Sequence, residues 1–104
     1  MTKYLNKKCE YQNIKFASIK ERNFFIYLKQ LEEKGTIKDL KLQVKFPVII
    51  GSKRICSYVS DFTYYDEFGY HVVDVKSTIT SKNPVFRLKK KLVEALYDFE
   101  IELR

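Results

Sequence analysis

Residues 55–77 read ICSYVSDFTYYDEFGYHVVDVKS, two runs rich in aromatic and β-branched residues on either side of Asp66-Glu67-Phe68-Gly69. Such runs suit strands, and a polar stretch ending in glycine suits the turn of a hairpin. The pattern predicts one strand from about Ile55 to Tyr65 and another from about Tyr70 to Ser77. With a four-residue loop, Asp66 to Gly69, Tyr65 pairs with Tyr70 and every opposed pair sums to 135 in residue number, so Asp61 faces Asp74. Side chains two apart share a face, so Lys76 joins the two acids with Val59 opposite it, and His71 falls on the other face as a structural residue. A loop one residue shorter or longer would send the two acids to opposite faces.

Outward from the hairpin, Leu40, Leu42, Val44 and Phe46 alternate with Lys41, Gln43 and Lys45, the period of a strand with one buried face, expected to halt at Pro47. Before it, Ser18-x-x-Glu21 has the form of a capping box, and Phe24, Phe25, Leu28 and Leu31 follow at helical spacing until Lys34-Gly35. After the hairpin, Asn83-Pro84 reads as an N-cap with proline in the first turn. Leu88, Leu92, Ala95 and Leu96 form the expected apolar stripe of that helix, with Arg87, Lys90, Lys91 and Glu94 facing away. A short last strand is expected within Phe99 to Leu103. The order helix, strand, strand, strand, helix, strand implies an α/β layer whose mixed sheet is flanked by helices, because the two hairpin strands are apolar on both faces.

The chain has 104 residues, 45% of them hydrophobic, with 8 Tyr and 8 Phe, which suits a single domain over residues 1–104 with a real core and excludes disorder. The longest apolar runs, such as Phe46 to Ile50, are far short of a membrane span, and the start Met1 to Glu10 is polar, so a cytoplasmic protein is expected. Cys9 and Cys56 stand apart and His71 is the sole histidine, which argues against a disulfide framework and a zinc site. Net charge is +7 and uneven: residues 1–45 carry 11 basic and 5 acidic groups, residues 46–77 carry 3 and 4, and residues 78–104 carry 6 and 4. Basic flanks around an acidic centre suit a polyanion such as nucleic acid, although the same charge also serves solubility. Lys82, Arg87, Lys89, Lys90 and Lys91 on the second helix, and Lys3, Lys7 and Lys8 near the N-terminus, are the candidate phosphate contacts. Most of the tyrosines are expected in the core.

Two opposed carboxylates about 5 Å apart repel by roughly 3 kcal/mol at an effective dielectric of 20. Either Lys76 compensates them as a counter-ion or a divalent cation lies between them. Asp61, a gap of twelve, then Asp74-Val75-Lys76 resembles the signature of the PD-(D/E)XK nuclease superfamily, which includes many restriction enzymes and archaeal Holliday-junction resolvases. More closely, Tyr4-x-Asn6-Lys7-Lys8, Ile14-Lys15-Phe16, Ser18-x-x-Glu21, Asp39-Leu40-x-Leu42-Gln43, Ser60-Asp61-Phe62, Val73-Asp74-Val75-Lys76 and Leu88-Lys89-Lys90-Lys91-Leu92, in this order, resemble a small phage-encoded branch of that superfamily catalogued as a domain of unknown function. Ser60 stands where the superfamily name has proline.

The resemblance implies a restriction-endonuclease-like core and magnesium-dependent hydrolysis of DNA phosphodiesters, manganese substituting. It implies Asp61, Asp74 and the backbone carbonyl of Val75 as metal ligands, and Lys76 as the group that orients the attacking water and steadies the charge on the phosphate. Glu21 either approaches the metal or completes the capping box with Ser18, and Gln43 either stands beside the active centre or is a satisfied amide. The expected partner is branched or duplex DNA, cut by a homodimer, since each chain carries one site. A nuclease fold kept only for binding DNA or protein is the alternative.

Overall fold

The computed structural model describes residues 9–104, a mixed α/β fold. Its elements are β1 (Cys9–Tyr11), β2 (Ile14–Phe16), α1 (Ile19–Glu33), β3 (Lys38–Ile50), β4 (Lys53–Asp66), β5 (Gly69–Asp74), α2 (Thr78–Ser81), α3 (Pro84–Tyr97) and β6 (Ile101–Leu103). β3, β4, β5 and β6 form one mixed sheet in that order, with β6 parallel to β5 and the other pairs antiparallel. Every expected element is present. The small β1–β2 hairpin and the single turn α2 are additions to the expected order. The hairpin turns through Gln12 and Asn13, both left-handed, a conformation that asparagine tolerates and glutamine rarely signals.

The β4–β5 register is the expected one: Tyr65 pairs with Tyr70 and Phe62 with Val73. The ladder closes one pair further out, Asp66 with Gly69, so the turn proper is Glu67-Phe68. Adjacent residues Val72 and Val73 belong to different cores, which places one core on each face of the sheet. Phe16, Phe25, Leu28, Phe62, Tyr64 and Val73 form the core under α1. Phe46, Val48, Tyr58, Val72, Val93 and Ile101 form the core under α3.

β3 and β4 serve both cores in succession. Leu40 and Leu42 pack on the α1 side, but Val44, Phe46 and Val48, two residues apart in the same alternation, pack on the α3 side. On β4 the change falls between Tyr58 and Phe62. Pairing runs from Leu42–Phe62 to Val44–Ser60 with no shift of register, so the two strands turn over together. The pivot is Gln43, whose backbone is left-handed at φ 54°.

Four expectations need correction. Pro47 does not halt its strand: β3 continues to Ile50 with Pro47 paired to Ser57, because an edge strand has no further neighbour requiring the missing N–H. β5 ends at Asp74 rather than Ser77, and Lys76 N–H donates instead to the carbonyl of Arg104 beyond β6. The apolar stripe of α3 is also misplaced. Leu88 and Leu96 are exposed, and the helix buries Val93 with Phe86 and Leu92 beside it. Glu94 does not face away, since its Oε2 accepts the Ile101 N–H at 2.8 Å and ties α3 to β6. Among the described residues no helix is long and apolar enough to cross a membrane.

Candidate functional site

The site lies where the sheet turns over. Ser18 caps α1 by accepting the Glu21 N–H on Oγ at 3.0 Å, which fixes the first turn and sets the Glu21 side chain inward, 5% exposed. The two carboxylate oxygens of Glu21 have different partners. Oε1 accepts the Ala17 N–H at 3.1 Å, one residue short of the reciprocal bond of a capping box, while Oε2 faces the Gln43 amide at 3.3 Å. The same Gln43 Nε2 lies 3.4 Å from Asp61 Oδ1. The left-handed pivot therefore turns one amide toward two carboxylates from different elements, and one donor nitrogen holds them together.

On the other side of Asp61 the backbone ladder stops. The last β4–β5 pair is Phe62 with Val73, and beyond it side chains replace strand-to-strand bonding. Asp74 Oδ1 accepts the Asp61 N–H at 2.8 Å, and Asp61 Oδ2 accepts the Val75 N–H at 2.8 Å. Asp74 is fully buried, and its Oδ2 has no hydrogen-bond partner among the described residues. Burial pushes the Asp74 carboxyl above its usual range, opposed by the Asp61 N–H and the positive charge of Lys76. Burial also raises Glu21, and the negative charge of Asp61 raises it further, against the pull of the Ala17 N–H and Lys76.

Glu21, Asp61, Val75 and Lys76 line one small cavity of about 100 Å³, together with Ala17, Ser18, Ser77 and Thr80. Asp74 is not part of that lining. Val73 and Val75 both pack toward the α1 core, so Asp74 between them points to the other layer and reaches the site through the Asp61 backbone. Lys76 makes no ion pair among the described residues. Its Nζ lies over the Phe86 ring, 5.3 Å from the centroid, a cation–π contact that the sequence did not signal because the two residues lie on different elements. The Lys76 carbonyl accepts from Lys20 Nζ at 3.2 Å. Ser77 and Thr80 carry a signal that sequence reasoning passed over: Ser77 Oγ accepts the Thr80 N–H at 3.1 Å, the S-x-x-T form of a helix start.

The donor set offered to a cation is all oxygen, as magnesium requires, and the mutually repelling Glu21 and Asp61 are groups a cation would satisfy. Among the described residues, however, no three acids converge as a ready metal cage. The fit is therefore to an ion that keeps most of its waters and takes one or two carboxylates.

The candidate phosphate contacts divide. Lys82, Arg87 and Lys91 are exposed on and before α3. Lys90 is held by Glu94 at 2.9 Å, and Lys89 reaches the Ser57 carbonyl at 3.4 Å. Lys3, Lys7 and Lys8 lie outside the described residues. His71 is structural, as expected, lodged between Glu102 and Asp66 and stacked on Tyr64 at 5.0 Å. A cavity of about 560 Å³ at the far end of the hairpin includes Asp66 and Glu67, acids that disfavour a polyanion there.

The sequence model of a family described as "Protein of unknown function (DUF1064)" matches residues 1–103, and the chain belongs to that family. No curated protein matches the chain. No solved structure matches it.

Proposed function

We propose that the chain is a metal-dependent DNA endonuclease of the PD-(D/E)XK type, phage-encoded and acting on branched or duplex DNA. The observation that carries the reading is the meeting of Glu21, Asp61 and Lys76 around one cavity at the break in the sheet, with Asp74 bonded to the backbone of Asp61. Acids that repel each other beside a lysine with no ion pair among the described residues make a poor structural ion cluster and a good place for a hard cation and a phosphate.

In this reading Asp61 and Glu21 would hold Mg²⁺ or Mn²⁺ at the cavity with the Val75 carbonyl, and Asp74, outside that lining, acts by positioning Asp61 through its N–H rather than as the ligand the resemblance implies. The bound ion supplies a Lewis acid and a more acidic water. Gln43 keeps Glu21 and Asp61 at one spacing through its single amide. Lys76 swings from Phe86 to the scissile phosphate and stabilises the charge that grows as the phosphorane forms. Exposed Lys82, Arg87 and Lys91 draw the DNA backbone onto the α3 side. Two copies in a homodimer place two sites on two strands.

Incubation of the protein with branched, nicked and linear DNA in Mg²⁺ or Mn²⁺, beside Asp74→Ala, tests the proposal. Cutting by the wild type alone supports it, and equal residual cutting by both marks contamination and defeats it. The absence of three convergent acids among the described residues favours a second reading, a nuclease fold that binds DNA without hydrolysing it. That reading predicts no cutting but a steep loss of DNA affinity between low and physiological salt.

A further inference from the structure

Lys76, with Thr80, lines two cavities at once. On one side lies the acid site; on the other a groove of about 450 Å³ runs between β4 and the N-terminal turn of α3. Its chemistry comes from Tyr58, Lys76, Asn83, Phe86 and Lys89, and no acidic residue is part of its lining. The size lies within the range of small-ligand sites.

Each group in the groove has something to give. The rings of Phe86 and Tyr58 stand 6.2 Å apart, and the Lys76 ammonium covers Phe86. Tyr58 is 4% exposed and its hydroxyl has no hydrogen-bond partner among the described residues, a donor held in reserve. Among the described residues Lys89 spends its ammonium on a single long contact, to the Ser57 carbonyl. The end of α3 itself offers no anion site, because Asn83 Oδ1 already takes the Val85 and Phe86 N–H groups and the Asn83 carbonyl takes that of Arg87. An anion there must be met by the two lysines.

An aromatic surface, a buried free hydroxyl and two cations in a lining that holds no acid match a nucleotide, whose base stacks, whose ring edge accepts a hydrogen bond and whose phosphate is anionic. We propose that this groove seats one nucleotide of the nucleic-acid strand next to the scissile phosphate, its base on Phe86, so that its entry displaces Lys76 from the ring and toward Glu21 and Asp61. The inference rests on the nuclease reading for its strand and its neighbouring site, but the groove makes its own prediction. Phe86 is a positioning residue for Lys76 as well as a seat for the base.

The test is titration of the full chain in EDTA, followed by amide and ring NMR shifts, with three probes: inorganic phosphate, a 5′-deoxynucleoside monophosphate and a four-nucleotide single strand. The monophosphate is expected to bind at least fivefold tighter than phosphate, with a base-to-Phe86 nuclear Overhauser contact, and the tetranucleotide at least tenfold tighter again. Phe86→Leu, which keeps the apolar packing, should cost at least fivefold for both nucleotide probes and under twofold for phosphate. Phe86→Tyr should restore them to within twofold. Equal binding of phosphate and monophosphate, or unchanged affinity in Phe86→Leu, overturns the groove. A monophosphate binding tighter than the tetranucleotide overturns the assignment to a strand. Because EDTA removes the metal, nucleotide binding that persists in a protein unable to cut any DNA defeats the nuclease reading alone. Metal-dependent cutting of DNA by a protein that binds neither nucleotide probe in EDTA defeats the groove alone.

Discussion

Asp74 accepts the backbone N–H of Asp61 on Oδ1 at 2.8 Å, where the β4–β5 ladder has just ended. A carboxylate thus does a carbonyl's work, and its second oxygen is left buried and without a partner among the described residues. A fold seeking stability alone has little use for an ionised acid in that place, since an unpaired buried charge is costly. Asp74 is on these grounds a liability to stability.

Replacement of Asp74 by Asn should therefore stabilise the chain at neutral pH. Burial raises the folded-state pKa of Asp74 above its ordinary value, so its favourable contribution is complete below that ordinary value and is lost as pH rises through the raised one. The amide keeps an acceptor for Asp61 and has no charge to bury. A tenfold difference in proton affinity between the folded and unfolded chain corresponds to about 1.4 kcal/mol, and about 1 kcal/mol moves the melting temperature of a 100-residue domain by roughly 4–8 °C. Thermal melts in EDTA should show Asp74→Asn above wild type at pH 7.5 and level with it, or below, at pH 4. A variant less stable than wild type at both values would contradict this account.

Gln43 sits in a backbone conformation that glycine adopts more easily, and its amide spans Glu21 and Asp61. Strain of this kind persists where surrounding structure enforces it. Gln43→Gly should leave stability unchanged or raise it by about 1 kcal/mol, while cutting of DNA falls at least tenfold. Denaturant midpoints and cleavage rates measured on the same preparation separate the two effects, and loss of both together would mean that the amide serves the fold.

The residues forming the hairpin are legible in the sequence because strand alternation and a glycine-ended turn fix register, and the register brings Asp61 and Asp74 together. Alternation cannot show that β3 and β4 turn over at Gln43, since the period-2 pattern is the same on either side of the pivot and only the packing partner changes. For that reason the pattern puts Asp74 on the same wall as Asp61, whereas in the fold it reaches that wall through the backbone. Misplacement of the α3 stripe has a similar cause. Leu88 and Leu96 are more numerous than the buried Val93, but a short helix over a twisted sheet covers only the face its neighbours reach.

Glu21 offers a way to separate capping from chemistry. Glu21→Gln retains an oxygen for the Ala17 N–H and removes the charge that repels Asp61, whereas Glu21→Ala loses both. Glu21→Ala should cost about 1 kcal/mol from the lost N-terminal hydrogen bond, and Glu21→Gln should not. Both should weaken Mn²⁺ binding in calorimetry by at least fivefold. Unaltered Mn²⁺ affinity in Glu21→Gln would reduce this residue to a cap.

His71 should make stability fall as pH rises. Burial opposes its protonation, but hydrogen bonds and charge from Glu102 and Asp66 outweigh it and raise the pKa above the ordinary histidine value. A raised folded-state value gives stability that is complete below about pH 6.5 and lost through the raised value. Desolvation works against ionisation of the Asp66 partner, but hydrogen bonds from His71 and the Phe68 N–H together outweigh it and lower its pKa, so it stays ionised across that window. The melting temperature of His71→Gln should lie several degrees below wild type at pH 5.5, with the gap closing by pH 9. A gap independent of pH would assign the loss to the stacking of His71 on Tyr64.

Lys76 makes no ion pair among the described residues, so its removal should hardly change the resting fold; its amine touches Phe86 and lowers Glu21 and Asp74 from a distance. In the nuclease reading its charge is needed most as negative charge builds on the phosphate, which places its effect on the rate rather than on binding. Lys76→Ala should hold Mn²⁺ within about twofold of wild type and lose at least a hundredfold in turnover, roughly 2.7 kcal/mol of barrier. Lys76→Arg keeps the charge but not the compact ammonium, and should recover part of the rate. Calorimetry and cleavage run side by side decide the matter: lost Mn²⁺ affinity with unchanged cutting would remove Lys76 from the reaction and return it to the role of a counter-ion.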